Sequence, residues 1–426
     1  MKEDMRRIRH LIAEKLRESE YSEKNLIEEI DRVLTEWGRG RRLSLKEKEE
    51  YRKGLLDSFR GMDILQPLLE DEGVTEIMVN GPFTVFVERG SEMSLWDKGF
   101  SSRDALDDVI QGMAASVNRL VNTSSPIADL RLADGSRVNI VLPPAAPDGP
   151  AVTIRKFSKD PLTMEKLLMK GTLTPAAAEF LKSAVICGCN IFISGGTGSG
   201  KTTFLNALSA FIPPEERIIT IEDSLELQLQ GLPNLVRLET RDPNLEGSGR
   251  ISIRDLIRTA LRMRPNRIVV GEVRGEEALD MLQAMNTGHR GSLSTGHANS
   301  ARHMLSRLET MVLMGGELPL GAIRSQIASA LEILVHLGRG RDRKRRVLSV
   351  SEILGMEGGE SRVETIRQYD PEQGLVFTGH QPVHTEKWRE VFGKKPAFTQ
   401  EGDYLLRDEA EPLSLDGLPG LSKQTP

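Results

Sequence analysis

Gly195, Gly196, Thr197, Gly198, Ser199, Gly200, Lys201 and Thr202 fit the spacing G-x-x-x-x-G-K-[ST]. Glycines at this density let the backbone curl until several N–H groups point at one anion. A short apolar run, Asn190–Ser194 (NIFIS), precedes them, and Thr202–Ala210 has helical character. The spacing therefore predicts a strand, a phosphate-binding turn and a helix whose positive end faces the same anion. Lys201 is expected to reach the β- and γ-phosphates of ATP, and the Thr202 hydroxyl to bind Mg²⁺. Thr203, next in the helix, completes the predicted nucleotide contacts. Such a loop implies binding; hydrolysis needs further groups.

Two acidic positions qualify. Ile218–Ile221 runs into Glu222 and Asp223, and Ile268–Gly271 runs into Glu272. An acid just past a buried parallel strand sits at the carboxyl edge of the sheet, where ligands bind in such folds. Glu272 is expected to polarise the attacking water, with Gly271 leaving it room, and Glu222 to help hold Mg²⁺. The competing reading for each is a solvated loop acid. His289 and His297 flank a short predicted strand, Ser292–Thr295, and are candidates for sensing the γ-phosphate. The competing reading for a lone histidine is structural.

Positioning these groups requires alternating strands and helices over 174–355, hence βαβ units on a parallel sheet. Thr174-Pro175 supplies a cap and a first-turn proline for the helix leading into the phosphate loop. Residues 1–60 read as a helical extension, with Met5, Ile8, Ile12 and Leu16 on one face and Ile27, Ile30, Leu34 and Trp37 on another. Residues 61–160 read as a smaller α/β domain, 161–173 as a linker, and 356–426 as an irregular extension ending in a mobile tail.

Net charge is −5, which argues against bulk attraction to nucleic acid or anionic lipid. No apolar run is long enough to span a bilayer, and the first residues lack a signal-peptide core. The only cysteines, Cys187 and Cys189, are too close for an ordinary disulfide and are expected to be reduced. The sequence thus predicts a cytoplasmic protein that meets a membrane only through partners. Two basic features read as solvent-facing: Arg250, Arg254, Arg258 and Arg262 along a helix, and Arg339–Arg346 in a hairpin.

Taken together, the phosphate loop, ITIEDSLEL, RIVVGEVRG and NTGHRGSLSTGHANS resemble the type II/type IV secretion ATPase superfamily, the GspE/PulE-like P-loop ATPases. LETRDPN, ALRMRPNRIVVGEVRG, VTEIMVNGP, DGSRVN and VTIRKF are similar to its CpaF-type branch, which serves tight-adherence (Flp) pili. Arg290 departs from the pattern, which usually has an acid after this histidine. The resemblance implies a RecA-like P-loop motor domain after a smaller α/β domain. It also implies a homo-hexamer that hydrolyses ATP with Mg²⁺ at an inner-membrane platform protein. A conjugation-type transfer ATPase is the alternative. By motif position, the resemblance assigns Arg137, Arg155 and Arg241 to phosphate contacts.

Overall fold

The computed structural model describes residues 23–38, 45–59, 62–90, 92–117, 119–157, 162–241, 243, 248–340 and 342–408, with Ile8 and Ile12. Two compact units divide the chain, Met1–Lys159 and Asp160–Pro426.

In the first unit, α1 (Glu23–Gly38) and α2 (Leu45–Phe59) pair through the stripes their spacing predicts. Ile30, Val33 and Leu34 are buried with Tyr51 and Leu55, and the helical residues Ile8 and Ile12 join them. Met5 and Leu16 lie outside the described residues. After the short α3 (Gln66–Glu70) come β1 (Val74–Asn80), β2 (Val85–Arg89), β3 (Glu92–Leu95), α4 (Arg103–Ser116), β4 (Ile127–Arg131), β5 (Arg137–Val141) and β6 (Ala151–Arg155). The strands form one antiparallel sheet in the order β3-β2-β1-β6-β5-β4. Strict alternation buries Ile77, Val79, Val138, Ile140, Val152 and Ile154 with Leu106 and Ile110 of α4. The opposite face carries Glu76, Glu88, Arg137, Asn139, Thr153 and Arg155 together with Met78, Phe86 and Val141.

The second unit holds α5 (Met164–Met169), α6 (Pro175–Ile186), β7 (Ile191–Gly195), α7 (Lys201–Ser209), β8 (Ile218–Glu222), β9 (Leu235–Glu239), α8 (Ile253–Ala260) and β10 (Arg267–Val273). It continues with α9 (Glu277–Asn286), β11 (Leu293–His297), α10 (Ala301–Gly315), α11 (Leu320–Ala330), β12 (Ile333–Arg339) and β13 (Arg345–Glu357). Last come β14 (Glu360–Asp370), β15 (Gly374–Phe377), α12 (Glu386–Phe392), β16 (Lys395–Phe398) and β17 (Tyr404–Arg407). One sheet has the order β15-β14-β13-β12-β7-β11-β10-β8-β9. From β12 to β9 every neighbour is parallel. Helices cover both faces, so β7 and β8 are buried along their whole length and read as continuous apolar runs. Phe180, Leu181, Phe204 and Leu208 pack one face; Ile257, Met281, Leu308 and Ile327 pack the other.

Two expected boundaries differ. The expected linker 161–173 contains α5, whose Met164 and Leu167 join the core. The chain beyond residue 355, expected to be irregular, instead extends the sheet through β14 and β15 and folds α12 and the β16–β17 hairpin back onto α6. Trp388 stacks on Phe180, centroids 5.8 Å apart, and Phe398 and Tyr404 close the aromatic cluster. Register shifts at Val350/Ser351 and Ile353/Gly355 interrupt the alternation that identifies a strand from sequence. The expected mobile tail lies outside the described residues from 409 onward.

Candidate nucleotide site

The phosphate loop forms where β7 stops and α7 starts. Gly198 and Gly200 have φ of +66° and +93°, the left-handed region that favours glycine. Gly195 is fixed by space: a Cβ there would lie 2.5 Å from the Leu337 carbonyl oxygen and 2.6 Å from Ser199 Oγ. Within the loop, the Ser199 N–H and the Lys201 ammonium both donate to the Gly196 carbonyl, each at 3.3 Å. Two donors suited to a phosphate thus converge on one oxygen. Ser199 Oγ is buried and has no hydrogen-bond partner. Thr202 and Thr203 occupy the first turn of α7 and are half-buried.

The strand ends beside the loop carry a chain of polar contacts. Lys201 Nζ lies 3.3 Å from His297 Nδ1 and 3.4 Å from Nε2. His297 Nε2 lies 2.7 Å from Glu272 Oε1, an ion-pair distance without the alignment of a hydrogen bond. Arg274 Nη2 donates to Glu272 Oε2 at 2.6 Å, and its Nη1 lies 3.5 Å from Asp223. Burial, the largest cause, lowers the His297 pKa against the opposing pull of Glu272, and the cations Lys201, Arg274 and Arg307 add to the lowering. The imidazole is therefore neutral near pH 7. Lys201, His297 and Glu272, predicted separately, form one cluster.

Glu222 ends β8 and is buried, not solvated. Its Oε2 accepts the N–H groups of Glu226 and Leu227, at 2.7 and 2.8 Å. Its Oε1 is buried with no partner, and burial pushes the carboxyl up to about 7. The room left by Gly271 belongs to Glu222 and not to Glu272: a Cβ at 271 would lie 2.9 Å from Glu222 Cγ.

His289 is not brought to this cluster. It precedes β11 whereas His297 ends it, so a five-residue strand, roughly 16 Å long, separates the two sheet edges. There His289 Nδ1 meets the Ala284 carbonyl at 3.2 Å and closes the end of α9. Arg241 lies past β9 on the phosphate-loop edge, its backbone paired with Ile251. In the first unit, Arg137 stands directly opposite Arg155. The register extends this pair into a row across the sheet, Glu88, Glu76, Arg155, Arg137 and Arg131, on the face away from the core. The predicted basic stripe on α8 is partly neutralised, because Arg254 and Arg258 both bond Asp280, at 2.8 and 2.9 Å.

The sequence reading missed two features. A cavity of about 490 Å³ opens beside the loop, lined by Gly196, Thr197, His297 and Asn299 and by His303, Ser306 and Arg307 of α10. The signal was available, since His303 and Arg307 are four apart and share a helix face. The second is the contact of the β12–β13 hairpin with the phosphate loop, which depends on register between distant strands.

The residues present fit Mg²⁺ with a triphosphate. Among the described residues no cluster of three or more His, Cys, Asp or Glu could hold a metal. Mg²⁺ needs none, taking one or two protein oxygens with the rest from phosphate and water. The buried, unpartnered Glu222 Oε1 and the Thr202 hydroxyl are of that kind. A phosphate loop at the carboxyl edge of a parallel sheet, with a glutamate two strands away, defines a P-loop nucleotide-binding protein.

The profile of the type II/IV secretion system protein family matches residues 59–368, and the chain belongs to that family. A putative conjugal transfer protein of Mycobacterium tuberculosis is 36% identical over 321 residues, covering 74% of this chain and 90% of its own. The VirB11 ATPase from the Brucella suis type IV secretion system is 32% identical over 68% of this chain and 96% of its own, with a TM-score of 0.38. The ATPase DotB of Legionella pneumophila is 21% identical over 73% of this chain and 81% of its own. Its TM-score of 0.50 is a likeness of fold alone. The second unit accordingly has a RecA-like P-loop fold and is preceded by a smaller α/β domain. Among the described residues no helix is long and apolar enough to cross a membrane.

Proposed function

We propose that this chain hydrolyses ATP with Mg²⁺ as the motor of a pilus-assembly or secretion machine. The observation that carries the reading is the contact chain from Lys201 through His297 to Glu272 beside the phosphate loop. The loop N–H groups and Lys201 bind the phosphates, and Thr202 and Glu222 hold Mg²⁺. Bound there, Mg²⁺ would neutralise charge between phosphate oxygens. The Glu272 carboxylate takes the proton of the attacking water, while Arg274 and the neutral His297 hold it in place. When the γ-phosphate leaves, Lys201 loses a partner and His297 is within reach to replace it. That exchange couples phosphate loss to the strand carrying Glu272.

The adjacent Arg155, Arg137 and Arg131 at one end of the row on the first unit support contacts from Arg137 and Arg155 to phosphate, and Arg241 is a further candidate. A guanidinium from a neighbouring domain or subunit can neutralise transition-state charge and tie hydrolysis to domain movement. Arrangement as a homo-hexamer, in the cytoplasm against an inner-membrane platform protein, is part of this reading, as is the tight-adherence (Flp) pilus branch. The conjugation-type alternative gains support from the M. tuberculosis relative described as a putative conjugal transfer protein. DNA-stimulated, salt-sensitive turnover would favour it.

Steady-state ATP hydrolysis by the purified chain, with and without Mg²⁺, tests the proposal. Glu272→Gln should lower kcat about 10³-fold with ATP binding kept. Lys201→Ala should abolish binding of the nucleotide. Turnover that survives Glu272→Gln would remove Glu272 from the role of base.

A further inference from the structure

One basic hairpin approaches the phosphate loop at two of its glycines. β12 runs parallel to β7 with Leu337 opposite Gly195, and this register carries Arg339 to the loop. Arg339 Nε donates to the Gly198 carbonyl at 3.1 Å. A Cβ on Gly198 would lie 2.9 Å from Arg339 Nη2, so the guanidinium sits directly against the loop backbone, while the backbone angle of +66° is what calls for glycine. Arg345, paired with Arg339 across the hairpin, has its Cδ 3.5 Å from where a Gly200 Cβ would be.

The hairpin is held by its own contacts. Arg346 donates to both oxygens of Asp342, at 2.7 and 2.5 Å, and lies over the Tyr369 ring at 5.5 Å. Arg339 therefore meets the loop from a fixed support. The C=O and N–H of one planar trans peptide point in opposite directions. Holding the Gly198 carbonyl against Arg339 thus directs the Ser199 N–H into the loop, where it meets the Gly196 carbonyl.

We propose that Arg339 is a positioning residue of the phosphate loop: it holds the Gly198–Ser199 peptide in the orientation that phosphate requires and adds a cation beside it. This rests on the reading that the loop binds nucleotide phosphates. The brace acts on the loop and not on the γ-phosphate, so ATP and ADP should depend on it equally. It preorganises the site, and its effect belongs in binding more than in the chemical step.

The test compares the full chain with Arg339→Ala and Arg339→Lys. Arg339 is exposed, so substitution leaves the core intact. Three readouts are needed: amide hydrogen exchange of the 195–201 segment without nucleotide, Kd for fluorescent ATP and ADP analogues, and the split between kcat and KM. Arg339→Ala should speed exchange about tenfold and raise both Kd values about tenfold, with kcat within about twofold. Arg339→Lys should recover part of the affinity through charge but less of the exchange protection, because it lacks the planar fork. Unchanged exchange with unchanged affinities would overturn the proposal, as would a loss confined to ATP. If the wild-type chain binds neither analogue while exchange still rises in Arg339→Ala, the nucleotide reading fails and the brace stands.

Discussion

Two glutamates in the second unit are almost equally buried, Glu222 at 3% and Glu352 at 4% relative exposure, yet their surroundings are opposite. Glu352, on the C-terminal flank of the sheet, uses both oxygens. It accepts the Val383 N–H at 3.1 and 2.9 Å and the His384 N–H at 2.7 Å, and lies 3.4 Å from His380 Nε2. Glu222, at the phosphate-loop edge, caps two N–H groups with one oxygen and leaves the other without a partner. A buried acceptor without a donor costs stability that folding alone does not recover. On the flank, buried polar groups serve the fold; at the loop edge, one is held ready for something the fold does not supply.

The comparison can be tested first where the flank is most apolar. Trp388 is 3% exposed, stacks on Phe180 and donates to Ser183 Oγ at 2.8 Å. Trp388→Ala should destabilise the second unit by about 3–5 kcal/mol, read by circular dichroism in a urea titration. A loss below 1 kcal/mol would mean that the C-terminal segment only rests on the P-loop domain. Glu352→Ala should cost about 3 kcal/mol, because the Val383 and His384 N–H groups lose their acceptor. Trp388 is the only one of the three tryptophans in this unit, so its fluorescence reports the transition.

Glu222→Gln should behave in the opposite way. A carboxyl whose folded pKa is raised favours the protonated form, so ionising it opposes folding. Its contribution weakens as pH rises from the unfolded value near 4.5 to the folded value of about 7. In EDTA, Glu222→Gln should therefore gain stability over the wild type at pH 8 relative to pH 4.5, by at most about 3 kcal/mol. The same variant should lose the stabilisation that Mg²⁺ with ATP gives the wild type. A pH-independent difference would show that Glu222 is an ordinary structural carboxylate.

The two regions also differ in how readily the sequence declares them. At the loop edge, spacing sufficed: the phosphate loop and Glu272 are motif positions, and continuous apolar runs marked the buried parallel strands. His289 lies at the other edge from the phosphate loop, because adjacency to a strand does not say which end of it a residue occupies. Glu222 was found, but Gly271 was assigned to the wrong neighbour, since the clash it avoids is with the adjacent strand β8. The flank gave little signal, because bulged antiparallel strands lack clean alternation. Its clearest sign was compositional: in a chain with 4% aromatics, Trp388, Phe398 and Tyr404 fall close together. The Arg339 contact was illegible, because only the β7–β12 register creates it.

Arg290 gives the smallest expected effect and separates an odd residue from a functional one. It stands where the family pattern has an acid, immediately after His289, at the sheet edge away from the phosphate loop. Its Nη1 lies 3.3 Å from Glu390 of α12, with both side chains mostly exposed, at 65% and 63%. The departure therefore has a local partner in the flank, on a segment that the motif does not include. An exposed pair of this kind contributes under about 1 kcal/mol, so Arg290→Asp should shift the unfolding midpoint slightly and leave ATP turnover unchanged. A paired Glu390→Arg change should restore the midpoint. A tenfold fall in kcat in Arg290→Asp would instead show that the two edges of the sheet communicate, and the division between them would have to be abandoned.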